Sequence, residues 1–155
     1  MHNLETLREG SEDVWDYLES SKAKTPKFQN RLDSYRLNPK TVDKLRKYVN
    51  KATVVIFSAE WCKDCYSNVP ILAQLNRDTG FEVLVFGHLA RDVKNPEKRW
   101  KVPPSPPEVK EFDVKKIPLI TVLDVQGQVL GEIVENPPEG KTLEQALLNI
   151  LEASF

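Results

Sequence analysis

No apolar run in this 155-residue chain approaches the length of a membrane span, so no spanning helix is expected. Excess charge of either sign is missing too: 22 basic against 23 acidic residues leave a formal net charge of −1. That removes the electrostatic reason to expect nucleic acid or an anionic membrane surface as a partner. Residues Met1–Gly10, with Glu5, Arg8 and Glu9, lack the apolar centre of a secretory signal. With Met1 as the native start, the expectation is a cytoplasmic protein in a reducing compartment. Metal ligands are scarce, since His2, His88, Cys62 and Cys65 are the whole supply of histidine and cysteine. Neither histidine has zinc-ligand spacing, so no metal is expected. There is no internal repeat. What remains, 40% apolar and 29% charged residues, suits one compact globular domain with a substantial core.

The two cysteines are spaced C-x-x-C within Trp61-Cys62-Lys63-Asp64-Cys65, at a break between two hydrophobic patterns. Ala52–Phe57 is a short β-branched apolar run, the signature of a buried strand. Val69, Leu72, Ala73, Leu75 and Asn76 follow the period of a helix running from Cys62 to about Asp78. A helix N-terminus offers unpaired N–H groups and positive dipole density, and both favour a thiolate over a thiol. A structural disulfide is the plain alternative, but so small a ring stabilises by roughly 2 kcal/mol at best and tends to be reduced inside cells. A redox-active pair is the favoured reading.

Three helical stretches are expected ahead of the first strand. Ser11-Glu12-Asp13 opens one with Val14, Leu18 and Trp15 on a face; Phe28, Leu32 and Tyr35 mark the second. Asn38-Pro39 reads as an N-cap with proline at the first helical position, before the stripe Val42, Leu45 and Val49. After the motif helix, Thr79-Gly80 is a C-cap and Phe81–Phe86 a second strand, so the pair makes a right-handed parallel crossover. Arg91–Pro107 interrupts the order with Pro96, Pro103, Pro104, Pro106 and Pro107, and neither strand nor long helix is expected there. A short helix at about Glu108–Phe112, a hairpin of Leu119–Leu123 and Val129–Val134 around Gly127, and a helix opened by a Thr142–Gln145 capping box complete the chain.

The order βαβ, short helix, ββα, with Ser58-Ala59-Glu60-Trp61-Cys62-Lys63-Asp64-Cys65 after the first strand, resembles the thioredoxin superfamily. Pro70, five residues after the second cysteine, matches the kinking proline of that family. Ile117-Pro118 matches its cis-proline. The resemblance covers about Lys51 to Phe155. It implies an α/β thioredoxin-like fold, a central mixed β-sheet flanked by helices, in a domain of residues 51–155 with an insertion at 91–107 and an N-terminal helical extension at 1–50. On that reading Cys62 is exposed just before the helix and attacks a disulfide, and Cys65 resolves the mixed disulfide. The backbone at Ile117, before Pro118, pairs with an extended substrate, and Trp61 contacts it; core packing is the plain alternative for Trp61.

Two departures stand out. Lys63-Asp64 replaces the usual Gly-Pro, and the two charges act on the Cys62 pKa in opposite senses. Ile56 occupies the position where many family members carry a buried aspartate, so the proton of Cys65 is expected to travel through solvent rather than Glu60 or Asp64. His88 is expected to be a solvated strand-end residue, and Trp100, with Arg99 and Lys101, either borders the site or belongs to a stiff surface loop.

The function expected is a thiol–disulfide oxidoreductase without cofactor, acting on a disulfide-containing protein or small molecule, with an unidentified reductase as electron donor. A binding module in which the cysteines are secondary is the alternative. The motif lacks the C-P-x-C and paired glycines of a glutaredoxin and the Pro-x-x-x-Thr-x-x-Cys of a peroxiredoxin. A dimer bridged by metal through two C-x-x-C pairs is a further option, hindered by Pro118.

Overall fold

In the computed structural model, which describes residues 1–21, 24–91, 94, 100 and 105–155, the Asn3 side chain accepts the Thr6 N–H at 3.0 Å. That cap opens α1, Leu4–Gly10. Neither this helix nor the two-residue strand β1, Glu12–Asp13, is among the elements expected from the sequence. Residues expected to start a helix pair instead with Val85 and Leu84; two residues carry no readable period, and tertiary pairing decides. Asp13 still serves the helix after it, its carboxylate accepting the Trp15 N–H at 3.0 Å. This helix, α2 (Val14–Ser21), buries Val14, Tyr17 and Leu18. Next, α3 (Lys27–Ser34) buries Phe28. The expected cap of α4 (Pro39–Leu45) forms: Asn38 accepts the Lys40 and Thr41 N–H groups, with Pro39 in the first turn. A 3-10 turn, Arg46–Tyr48, extends it.

β2 (Ala52–Phe57) is buried at every position, as a central strand must be. α5 (Lys63–Thr79) contains Pro70 and ends at Gly80, whose φ of 86° lies in the left-handed region that glycine enters without cost. β3 (Glu82–Phe86) runs parallel to β2, which makes α5 the crossover between them. α6 (Glu108–Glu111) precedes β4 (Leu119–Asp124) and β5 (Val129–Val134). β4 is antiparallel to both β2 and β5. α7 (Leu143–Ser154) starts where Thr142 Oγ1 accepts the Gln145 N–H at 3.1 Å. The capping box is only half made, because the Gln145 amide turns to Asn149 at 2.9 Å.

The sheet order is β1-β3-β2-β4-β5. It is a mixed sheet flanked by helices, the α/β architecture that the resemblance implies. Phe57 lies between Phe86 and Phe112, at ring distances of 5.2 and 5.1 Å. The residues before β2 are tied to α5 and α7 by part-buried polar contacts. Trp15 Nε1 donates to Asn76 at 3.0 Å, and Gln74 donates to the Leu32 and Tyr35 carbonyls, each at 2.9 Å. Glu144, 1% exposed, accepts the Tyr35 hydroxyl at 2.6 Å and the Asn38 N–H at 2.9 Å. Among the described residues no helix is long and apolar enough to cross a membrane. The expectations for Pro96, Arg99, Lys101, Pro103 and Pro104 lie outside the described residues.

Candidate dithiol site

Cys62 is the N-cap of α5, with extended backbone (φ −91°, ψ 116°), and its Sγ accepts the Cys65 N–H at 3.3 Å. Thiol sulfur thus takes the place usually held by a serine or aspartate oxygen. Both cysteines are free thiols. Cys62 is only 7% exposed, which corrects the expectation of an exposed residue. The loop entering β4 closes on it, bringing the Ile117 carbonyl to 3.8 Å from Sγ. Cys65, one helical turn inward, is fully buried. The Ile117–Pro118 peptide bond is cis.

The two thiols are driven apart electrostatically. The Cys62 pKa is lowered, above all by its hydrogen bond with the Cys65 side chain. Burial opposes that shift, the backbones of Cys65 and Asp64 support it, and the Asp64 carboxylate works against it. Asp64 therefore acts twice, with opposite signs, and Lys63 beside it is exposed. Cys65 is pushed well above the usual thiol range, first by burial and then by Cys62. Hydrogen bonds from the Ser58 side chain and the Ala59 backbone pull it partly back.

Ser58 and its partner are the residues sequence reasoning missed. Ser58 is fully buried, and its hydroxyl lies 2.9 Å from that of Tyr17 on α2. Burial raises the Tyr17 pKa far enough that the phenol stays protonated. A Cβ on Gly87 would sit 2.2 Å from the Tyr17 ring, so the glycine is what admits the tyrosine. Ile56 is buried and apolar, and the Ser58 hydroxyl, itself bonded to Tyr17, stands beside Cys65. The available signal was Tyr17 itself, a polar-tipped aromatic one helical turn from Val14.

Trp61 is 49% exposed and so is not a core residue. Its Nε1 donates to the Leu89 carbonyl at 3.3 Å, and its ring stacks on Trp100 with centroids 5.7 Å apart and planes 22° from parallel. Trp100 is buried and donates to the Lys115 carbonyl at 2.7 Å, two residues before Ile117. His88, just past the end of β3, keeps a side chain 37% exposed, as expected of a solvated strand-end residue, and is also paired. Its Nε2 meets Glu12 at 2.8 Å and its Nδ1 contacts Glu60. Glu60 also faces Lys24 at 3.7 Å.

The family model described as Thioredoxin matches residues 11–101, more than half of the chain and both cysteines. The chain belongs to the thioredoxin family. The matched stretch of this thioredoxin-family chain begins at β1, well before Lys51, and takes in Tyr17 as well as Trp100. Among solved structures it is similar over its whole length to a protein of unknown function from Pseudomonas aeruginosa: 20% identity, TM-score 0.69, and 100% of both chains covered. It is also similar to an HIV epitope-scaffold, at 21% identity and TM-score 0.66, covering 99% of this chain and 100% of the other. At such identities the likeness is one of fold. No curated protein matches the sequence.

Proposed function

We propose that the protein is a thiol–disulfide oxidoreductase that reduces disulfides through Cys62 and Cys65. The observation that carries this reading is the asymmetry of the pair. Cys62 sits on the first turn of α5 with its thiolate favoured, and Cys65 lies beneath it with its thiol favoured. The Cys62 thiolate attacks one sulfur of a substrate disulfide, forming a mixed disulfide and releasing one substrate thiolate, which takes up a proton. Cys65 then loses its proton and attacks the Cys62 sulfur. The mixed disulfide breaks, a Cys62–Cys65 disulfide forms, and the second substrate thiol leaves. Two electrons pass from protein to substrate, and a reductase or dithiol must return them. The half-exposed Trp61 and the backbone of Ile117 beside cis Pro118 are the surfaces assigned to substrate, a disulfide-containing protein or small molecule.

Insulin reduction with dithiothreitol tests the reading. The native protein is expected to accelerate precipitation of the insulin B chain, and Cys62→Ser to abolish the acceleration. Cys65→Ser should accumulate a mixed disulfide through Cys62, visible by mass. Native protein no faster than dithiothreitol alone would overturn the oxidoreductase and leave a binding module; trapping through Cys65 would reverse the two roles.

A further inference from the structure

Beside Trp61, on the side of α3, the surface opens into a groove of about 490 Å³ whose walls include Lys27, Arg31, Trp61, Lys63, Tyr66 and Ser67. Its charged walls are all cationic, although the chain as a whole carries a net charge of −1. Asp33, Glu60 and Asp64 adjoin wall residues in the chain, and none of the three lines the groove. Two of the cations are held in place. Lys27 Nζ lies 5.3 Å from the centre of the Tyr66 ring. The Arg31 guanidinium packs 4.6 Å from the Tyr35 ring and donates through Nε to the Ser67 carbonyl at 3.2 Å. Lys63 is exposed, directly follows Cys62, and has no ion-pair partner among the described residues. Fixing cations before a ligand arrives lowers the ordering cost of binding, and Trp61 adds a half-exposed apolar wall.

We propose that this groove receives an acidic peptide segment flanking the disulfide on which Cys62 acts, so that the protein selects disulfides in acidic surroundings. The inference rests on the oxidoreductase reading for the chemistry and on charge complementarity for the occupant. A chain bonded to Cys62 has Trp61 on one side of the sulfur and Lys63 on the other. Glutamates a few residues from the substrate cysteine then fall within reach of Lys27, Arg31 and Lys63. The preference is electrostatic, so it fades as salt shortens the Debye length from roughly 30 Å at 0.01 M to roughly 8 Å at 0.15 M.

The experiment separates binding from turnover. Three disulfide-free peptides, identical except for Glu, Gln or Lys on both sides of a central serine, are titrated against tryptophan fluorescence at low ionic strength. Cysteine versions closed by a disulfide are then assayed for reduction with dithiothreitol. The Glu peptide should bind roughly three- to tenfold more tightly than the Gln peptide and the Lys peptide most weakly, with the order compressed in salt. Lys27→Glu with Arg31→Glu should invert the Glu-to-Gln ratio. Should the double variant unfold, Lys27→Glu alone, at an exposed position, is expected to halve the ratio or more. Lys40→Glu with Lys47→Glu, the same change of charge on α4 and the turn after it, should leave the ratio as it is. Equal binding of all three peptides by the native protein would overturn the acidic groove. A charge-ordered series of affinities with no reduction of any peptide would sustain the groove and sink the oxidoreductase reading instead.

Discussion

At the first turn of α5 one sulfur is an acceptor of a backbone N–H and the other lies under the fold, and on the proposed reading this difference sets the order in which they react. Carboxymethylation of Cys62, followed against pH, should reach half its limiting rate below the usual thiol range, because the folded protein favours its thiolate; the rate rises with pH as the thiolate fraction grows. Cys65 should stay unmodified to higher pH. Asp64→Asn removes the carboxylate that opposes the thiolate and keeps the backbone group that supports it, so the midpoint should fall by about one pH unit or less. An unchanged midpoint would mean the carboxylate is screened by water. Beneath, the Ser58 hydroxyl, bonded to that of Tyr17, acts on the Cys65 thiol, which on the proposed reading loses its proton as it resolves the mixed disulfide. Tyr17→Phe leaves the ring and takes the hydroxyl. It should slow resolution roughly tenfold, about 1.4 kcal/mol, while the first attack keeps its rate. Equal slowing of both steps would make Tyr17 a packing residue only. Cysteine spacing made the pair legible in the sequence. The hydroxyls were not, because Tyr17 lies far from Ser58 in the chain and only the pairing of β1 with β3 and the bare backbone at Gly87 bring them together.

Most elements with a local signal are legible in the sequence, α1 behind its Asn3 cap being the exception, and those made by tertiary contact are not. Asn38-Pro39, Gly80 and Thr142 mark helix ends through their own side chains or backbone freedom, and each forms the cap expected of it. β1 exists because an edge of β3 was open to it, which no window of sequence contains. The same holds for the clamp between the helices before β2 and the last helix. Glu144 looks like an ordinary first-turn acid, yet it is buried and accepts from Tyr35 and Asn38 at once. Glu144→Ala should cost about 2–3 kcal/mol in denaturant unfolding, since two donors are left without a charged acceptor. Glu144→Gln keeps one acceptor and turns an amide N–H toward the other donor, so about half of that loss is expected. A cost below about 0.5 kcal/mol for the alanine variant would mean that water replaces the carboxylate and that the clamp contributes little.

Over the whole molecule, three stretches of chain distant in sequence meet at two indole rings. Trp61 comes from the loop between β2 and α5 and donates to Leu89 just past β3. Trp100 comes from the segment between β3 and α6 and donates to Lys115 just before the cis-proline. Parallel strands β2 and β3 end on the same side of the sheet, which is why the sequence could suggest that this segment lies near the cysteines without revealing the ring contact. The stack connects the loop that carries Cys62 to the loop that carries Ile117 and Pro118, the two surfaces assigned to substrate. Trp100→Ala should therefore have two effects. Loss of a buried indole lowers stability by about 3–5 kcal/mol, and Trp61, left without its neighbour, no longer holds one orientation. Trp100→Phe keeps a ring against Trp61 and removes the bond to Lys115, which costs about 1 kcal/mol. On the proposed reading a small disulfide needs only the Cys62 sulfur, whereas a folded protein disulfide also rests on Trp61 and the Ile117 backbone. Measured well below the unfolding temperature, Trp100→Ala should slow reduction of the protein disulfide several-fold more than that of the small one, with Trp100→Phe between the native protein and alanine. Equal slowing on both substrates would confine Trp100 to the stability of the fold.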